Sequence, residues 1–231
     1  MQGLGKALLR WLLWVFVAGL ALQVFFAARI ALMVWVDPSS TSFQRSEAWR
    51  LMQQDTGLKW RQTWVSYDEM PLHIKRAVVA SEDSLFVQHG GVDWKAIEQA
   101  AKRNAQKSQR TYGGSTITQQ LAKNLFLSGE RHLLRKGQEL VITLMLEQLL
   151  SKERILEIYL NHVEWGLGVF GIEAAAQHYY RKPAARLTAQ ESARLAVMLP
   201  SPKRFELTPK SRYLASRTQT IVSRMRAVTV P

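Results

Sequence analysis

An uncharged apolar stretch near the N-terminus constrains this chain more than any other feature. From Trp11 to Ala28 the sequence carries no charged residue and only one amide, and apolar residues continue past Arg29 to Val36. A helix needs about 20 mostly apolar residues to span a bilayer, whereas the apolar region of a cleaved signal peptide usually has about 7–15. The length therefore favours a transmembrane anchor over a cleaved signal peptide.

The anchor divides the chain into three parts. We assign residues 1–36 to an N-terminal cytoplasmic tail and transmembrane anchor. Lys6 and Arg10 precede the span and suggest a cytoplasmic N-terminus, although basic residues also follow it and the asymmetry is weak. Residues 37–66 begin with a polar run and are predicted to form a linker and membrane-proximal segment. Residues 67–231 suit one globular domain with a sizeable core.

The net charge narrows the choice of partners. The 231 residues carry a formal net charge of +13, which draws a protein towards polyanions or an anionic bilayer surface. Nucleic acid is one such polyanion, but the basic residues are spread along the chain without zinc-finger spacing, an aromatic RNA-binding signature or a basic zipper. A membrane surface is therefore favoured. The chain has no cysteine, which excludes disulfides and thiolate metal sites.

Helical periodicity dominates the domain, and we find no convincing alternating strand. Pro71 stands near the start of one predicted helix, and Thr116 with Gln119 and Thr188 with Glu191 form capping-box patterns that open two others. The polar residues 107–111 predict a mobile loop. The predicted helices run from about 71 to 83, 93 to 104, 116 to 124, 133 to 150, 152 to 160, 172 to 180, 189 to 199 and 209 to 225. The domain is therefore predicted to be mainly α.

Two adjacent carboxylates fall at the end of the first of these helices. The backbone carbonyls at a helix C-terminus disfavour negative charge, so Glu82 or Asp83 is a candidate proton acceptor with a raised pKa. The alternative is that both acids are solvated, because perturbed or paired acids also occur in purely structural networks. Position alone does not decide between the two interpretations.

A glycine-rich turn leads directly into a predicted helix N-terminus. Gly113 and Gly114 precede Ser115 and Thr116, and the free N–H groups at such an end suit a phosphate. Lys123 adds a cation further along the same helix. A flexible turn with a good cap explains the pattern equally well, and the Gly-Lys-Ser/Thr ending of a P-loop is missing.

A polar stripe crosses the otherwise apolar helix predicted from 133 to 150. Arg135, Glu139, Thr143 and Glu147 follow one another at i, i+4 steps, so they line a cleft or simply face solvent. None of the histidines shows metal-ligand spacing, which favours a structural, hydrogen-bonded role for residues such as His89 over metal binding.

Several longer motifs resemble, in the same order, those of the peptidoglycan glycosyltransferase family. That family includes monofunctional transglycosylases and the glycosyltransferase module of bifunctional penicillin-binding proteins. The motifs are EDSLFVQHGG (82–91), GGSTITQQLAKN (113–124), RKGQE (135–139), KERILEIYLN (152–161), GVFGIEAAAQHYY (168–180) and LTAQESARLAVMLPSP (187–202). Tyr180 departs from the usual phenylalanine. The resemblance is closest to the monofunctional type, with no room for a transpeptidase.

The resemblance implies a fold and a set of site residues. The fold it implies is a lysozyme-like, mainly α domain with a membrane-associated jaw subdomain, preceded here by one transmembrane helix. Glu82 matches the general base that acts on the acceptor sugar 4-hydroxyl, and Glu139 matches the glutamate that helps to hold the donor diphosphate or its metal ion. Residues matching the donor diphosphate site are Lys123, Arg135 and Lys136, and those matching other cleft positions are Asp83, Phe86, His89, Ser115, Thr116, Gln120 and Asn124.

The function implied is polymerisation of lipid II into β-1,4-linked glycan strands, with inversion at the anomeric carbon and release of undecaprenyl diphosphate. The implied partners are lipid II, the growing strand, inner-membrane lipids and proteins of wall synthesis or division, with no nucleic acid. A divalent cation, Mg²⁺ or Mn²⁺, is the cofactor that the resemblance allows, and no organic cofactor is expected. The domain would face the periplasm from a single-pass inner-membrane anchor.

Two other functions compete with this interpretation. A lytic transglycosylase or muramidase would use a similar fold and a glutamate acid on existing glycan. A non-catalytic membrane scaffold of the wall-synthesis machinery is the second alternative. The lytic enzyme is disfavoured, because glycan cleavage releases no diphosphate for the cationic Lys123, Arg135 and Lys136 to bind.

Overall fold

The computed structural model describes residues 2–53, 60–105, 113–127 and 133–231, and the loop predicted at 107–111 lies outside them. The helices are α1 (Gln2–Leu32), α2 (Ser42–Met52), α3 (Leu72–Glu82), α4 (Trp94–Ala105), α5 (Ile117–Phe126), α6 (Leu133–Leu149), α7 (Lys152–His162), α8 (Ile172–Tyr180), α9 (Ala189–Met198), α10 (Pro202–Leu207) and α11 (Arg212–Arg224). The mainly α prediction is confirmed. Both predicted capping boxes are present, at Thr116 and at Thr188.

A small sheet accompanies the helices. β1 (Arg61–Gln62) runs parallel to β3 (Val169–Phe170), which pairs antiparallel with β2 (Glu164–Gly166). The sequence did not predict these strands, because two or three residues are too few to show an alternating pattern and β2 and β3 are buried throughout.

The first helix is long and apolar enough to cross a membrane. Gly5–Leu32 has a mean hydropathy of 2.1, and only 6% of its most apolar window is buried. Its C-terminal end behaves differently, because Phe26, Ile30 and Met33 belong to the buried core. The ring of Phe26 meets that of Phe126 edge-on, with 5.2 Å between centroids. α1 and the rest of the chain therefore share a packed interface.

Polar contacts fix the same interface. Gln23 of α1 and Gln138 of α6 exchange two amide hydrogen bonds of 3.0 and 2.9 Å. Just beyond α1, the Arg154 guanidinium donates to the Met33 carbonyl and to Asp37, each at 2.7 Å. These contacts hold the end of the anchor against α6 and α7.

The described residues of the predicted linker and membrane-proximal segment, 37–53 and 60–66, contain α2 and β1 and pack onto the domain. Thr41 and Gln44 form a fully buried capping box at the start of α2. Glu47 pairs with Lys203 of α10 at 2.7 Å. The Trp60 ring stacks on Phe170 of β3 with 4.5 Å between centroids. The sequence could not reveal this packing, because the partners lie more than 100 residues away along the chain.

Two helical groups meet at the centre of the domain. α3 packs against α9 and α11, and α5 packs against α6, α7 and α2. The C-terminal end of α3 and the N-terminal end of α5 come together, because Asp83 accepts a hydrogen bond from the Ile117 N–H at 3.1 Å. This junction positions the side chains described below.

Removing residues 1–36 should leave a folded domain with a lower unfolding temperature. The deletion takes Phe26, Ile30 and Met33 out of the core, and each fully buried side chain of this size contributes about 1.5–3 kcal/mol. We expect the unfolding temperature in detergent to fall by about 10–20 °C. The control is removal of residues 1–21, which shortens the span and keeps all three contacts. Equal unfolding temperatures for the two truncations would contradict the packed interface.

Candidate active site

An open cleft lies between α4, α5 and the start of α6. Its larger part has a volume of about 560 Å³ and its smaller part about 280 Å³, and the two share Ser115, Gln119 and Lys136. The larger part is otherwise lined by Ile97, Ala100, Ala101, Asn104, Ala105 and Gly114. The smaller part is otherwise lined by Phe43, Gln120, Lys123, Asn124, Leu127, Arg135 and Glu139. Seven of the ten residues around the smaller part were predicted from the sequence as site residues: Ser115, Gln120, Lys123, Asn124, Arg135, Lys136 and Glu139.

Glu82 contacts the cleft through Gln120, which lines the smaller part. Its Oε2 accepts a hydrogen bond of 3.0 Å from the Gln120 side-chain amide. Burial raises the pKa of the Glu82 carboxyl, hydrogen bonds from Gln120 and Ser81 oppose that rise, and the nearby Asp83 adds to it. The raised pKa agrees with the sequence prediction, but its main cause is desolvation and not the helix end.

Asp83 makes structural hydrogen bonds, unlike the neighbouring Glu82. Its buried carboxylate binds His89 Nε2 at 2.8 Å through Oδ1 and the Ile117 N–H at 3.1 Å through Oδ2. His89 Nδ1 accepts from the Gly91 N–H at 3.1 Å, so the ring carries its proton on Nε2 and donates it to Asp83. Asp83 and His89 therefore tie the 83–91 segment to the start of α5.

Phe86 supports this segment from within the core. Its side chain is fully buried, and the Lys152 ammonium lies 4.4 Å from the centre of its ring. The same ammonium donates to the His89 carbonyl at 2.7 Å and pairs with Glu147 at 2.8 Å. Phe86 thus supports the 83–91 segment by packing and does not line the cleft.

The glycine-rich turn is a tightly packed cap. Thr116 accepts from the Gln119 N–H at 3.1 Å and donates to the Gly91 carbonyl at 2.6 Å. A Cβ on Gly114 would lie only 2.9 Å from the Ile97 Cα, so this position needs glycine. The Ile117 and Gln119 amides at the helix start are already bound by protein groups. These two amides are therefore engaged within the protein, and the cleft roles of Ser115 and Thr116 stay predictions.

The polar stripe of α6 faces the protein interior. Glu139 is 3% exposed and Thr143 is fully buried, and the Thr143 hydroxyl donates to the Glu139 carbonyl at 2.7 Å. Glu147 accepts from the Thr118 hydroxyl at 2.5 Å. The alternative interpretation of this stripe as a solvated helix face is wrong, because Glu139 and Thr143 are buried and Glu147 binds Thr118 of α5.

Three cationic side chains converge on the smaller part of the cleft. Lys123 comes from α5, and Arg135 and Lys136 come from the first turn of α6. Arg135 binds one Glu139 oxygen at 2.8 Å and Lys136 binds the other. The buried Glu139 carboxylate therefore holds both α6 cations at the cleft wall, and the group as a whole carries excess positive charge.

A divalent cation fits this arrangement poorly. Both Glu139 oxygens already bind cationic side chains, which would repel a metal ion from that carboxylate. Within the described ranges, no group of three or more His, Asp or Glu side chains could hold a metal ion. We therefore derive no chemical step through a metal.

Sequence reasoning missed some groups at the site. Tyr159 lies inside the KERILEIYLN motif, and its hydroxyl donates to Gln120 Oε1 at 2.9 Å. The α4 face that walls the larger part of the cleft was predicted as helix but given no role. The signal for Tyr159 was its place in a quoted motif, whereas nothing in the small apolar residues of α4 marks a cleft.

Comparison with known proteins identifies the family. The model of the transglycosylase family matches residues 50–226. A biosynthetic peptidoglycan transglycosylase of Paraburkholderia phytofirmans is 54% identical over 226 residues, which cover 96% of this chain and 94% of that protein. One from Burkholderia thailandensis is 55% identical over 214 residues, covering 93% and 84%. The chain therefore belongs to the transglycosylase family.

Proposed function

We propose that this protein, a peptidoglycan glycosyltransferase of cell-wall synthesis, polymerises lipid II into β-1,4-linked glycan strands and releases undecaprenyl diphosphate. The observation that carries the proposal is a cleft in which cationic side chains and a carboxylate-binding amide come together. Lys123, Arg135 and Lys136 line its smaller part, and Gln120 in the same lining binds the Glu82 carboxylate. A base next to an anion-binding group suits attack by a sugar hydroxyl on a glycosyl diphosphate.

Glu82 activates the acceptor in this mechanism. A sugar hydroxyl is a poor nucleophile, so a base removes its proton as it attacks the anomeric carbon of the donor. Burial raises the pKa of Glu82, which strengthens the ionised carboxylate as a base. The proton passes from the acceptor 4-hydroxyl to a Glu82 oxygen.

The cationic end stabilises the leaving group. As the anomeric C–O bond breaks, its electron pair moves to the diphosphate, and fixed positive charge in a partly dehydrated site lowers the energy of that state. Arg135 presents a planar fork suited to phosphate oxygens, and Lys123 and Lys136 supply point charges. Direct displacement turns the α-linked diphosphate into a β-1,4 bond, so no covalent enzyme intermediate is needed.

The packing of the anchor supports a lipid-linked substrate. Gln138, which binds Gln23 of α1, lies one helical turn beyond Arg135. The diphosphate end of the cleft is thus beside the proposed membrane span, where a lipid diphosphate would be held. We assign the protein to the inner membrane with residues 67–231 in the periplasm. Lipids of that membrane, the growing strand and wall-synthesis or division proteins are its proposed partners.

Purified lipid II tests the proposal against its rivals. Detergent-solubilised full-length protein should convert lipid II into polymer that a muramidase digests. Cleavage of preformed glycan without any polymer would support the lytic alternative. Neither polymer nor cleavage, with lipid II still bound, would support a scaffold.

The pH dependence should reveal the raised pKa of Glu82. The base works only when it is ionised, so activity is lost as the pH falls through its pKa. Because burial raises that pKa above the ordinary value of 4.5, we expect the acid limb of kcat/KM to lie above pH 4.5. An acid limb at or below that value would contradict the desolvated carboxylate.

A further inference from the structure

A chain of hydrogen bonds leads from the core to the Glu82 carboxylate. The Tyr159 hydroxyl donates to Gln120 Oε1 at 2.9 Å, and the Gln120 amide nitrogen donates to Glu82 Oε2 at 3.0 Å. Tyr159 is 1% exposed and sits on α7, behind α5 as seen from the cleft. The proposed base is therefore connected to a buried residue that cannot itself reach a substrate.

The chemistry of the three groups fixes their directions. An ionised carboxylate only accepts hydrogen bonds, so Gln120 must present its NH₂ group to Glu82 and its carbonyl to Tyr159. The carbonyl in turn requires a donor. Burial, with the nearby Glu82 and Asp83 charges, holds the pKa of Tyr159 well above its usual value, so its hydroxyl keeps the proton and remains that donor.

The amide leaves one oxygen of Glu82 for chemistry. Oε2 is occupied by Gln120, whereas among the described residues Oε1 has only a long 3.5 Å contact from the Ser81 hydroxyl. A rotated Gln120 amide would set its carbonyl against the carboxylate and repel it. Holding the amide in one direction therefore also holds Glu82 in one position.

We propose that Tyr159 is a positioning residue for the transfer reaction: its hydroxyl fixes the Gln120 amide, which orients Glu82 with Oε1 directed to the acceptor hydroxyl. This inference rests on the base role proposed for Glu82. Because the Gln120 bond favours the ionised carboxylate, Tyr159 also keeps the rise in the Glu82 pKa within limits.

The variant Tyr159→Phe tests the proposal in the full-length protein with lipid II. It keeps the ring and removes only the hydroxyl. We expect kcat to fall about tenfold, the effect of losing one neutral hydrogen bond, with little change in KM. The acid limb of the pH profile should move to higher pH, because a less stabilised Glu82 carboxylate is protonated at a higher pH. Raising the pH should then restore part of the lost rate.

Two controls separate positioning from general stability. Tyr179→Phe removes a comparable hydroxyl that lies outside the cleft and donates to the Trp165 carbonyl at 2.8 Å. This variant should leave the pH profile unchanged. In the double variant with Gln120→Ala, Tyr159→Phe should add no further loss, because it acts through Gln120. An unchanged pH profile and kcat, fully additive losses, or loss of the folded state in Tyr159→Phe would each overturn the proposal.

Failure of this inference is distinguishable from failure of the proposed function. If Glu82→Gln is inactive while Tyr159→Phe behaves as the unmodified protein, only the positioning role is wrong. If Glu82→Gln polymerises lipid II at the normal rate, the base assignment itself is wrong, and Tyr159 has no base to position.

Discussion

Replacing Glu82 with glutamine should abolish polymerisation of lipid II and leave the fold intact. The amide keeps the shape of the side chain but cannot accept the acceptor's proton, and general-base catalysis typically contributes about 10²–10⁴-fold to a rate. The substitution removes a charge from a desolvated site, so the unfolding temperature of the variant should not fall. Initial rates with purified lipid II, together with thermal unfolding, measure both expectations.

A matched glutamate provides the control for this experiment. Glu98 lies on α4 with its side chain 63% exposed and pairs with Lys102 at 2.6 Å, so Glu98→Gln should retain the normal rate. A loss of only a few-fold in Glu82→Gln would remove Glu82 from the base role. The acceptor would then have to be activated by another group.

Lys123→Ala and Arg135→Ala should each slow polymerisation by about 10²–10³-fold, the cost of removing one group that stabilises developing negative charge. Both side chains line the smaller part of the cleft, on opposite walls. The defect should appear in use of the diphosphate-bearing donor. Kinetics at varied donor concentration measure it, and Lys102→Ala, with a side chain 71% exposed, is the control.

Arg135 also has a structural contact that a second substitution isolates. It binds the buried Glu139 at 2.8 Å, one helical turn away. Arg135→Lys keeps the charge and loses the planar fork, so it should recover only part of the activity lost in the alanine variant. Full recovery would show that charge alone is needed at this position. Normal rates in both alanine variants would contradict the diphosphate site.

The sequence predicted the helices well where apolar periodicity and caps agreed. The helix predicted from 172 to 180 has those bounds in the structure. The short elements α2, α10 and the three strands were missed, since each is too short or too polar to show a period. Their stability comes from distant partners, such as Phe170 beneath Trp60, and no local pattern contains that information.

The site residues and their roles stay predictions, and the structure shows which of these residues lie together. Resemblance to the family selected residues that the structure brings to one cleft, among them Gln120, Lys123 and Arg135. Position at a helix end did not separate Glu82, which binds Gln120 of the cleft lining, from Asp83, which binds the Ile117 amide of α5. The phosphate site suggested by the helix N-terminus at Thr116 stays a prediction, and a sequence does not reveal that protein groups already bind the Ile117 and Gln119 amides.

Binding of a non-reactive lipid diphosphate donor analogue separates the proposed diphosphate site from the proposed base. Affinity would be measured for the full-length protein and for Glu82→Gln and Arg135→Ala in the same detergent. We expect Glu82→Gln to bind the analogue normally although it makes no polymer, and Arg135→Ala to bind it at least tenfold more weakly. Normal binding by Arg135→Ala, or weak binding by a folded Glu82→Gln, would contradict this division of roles.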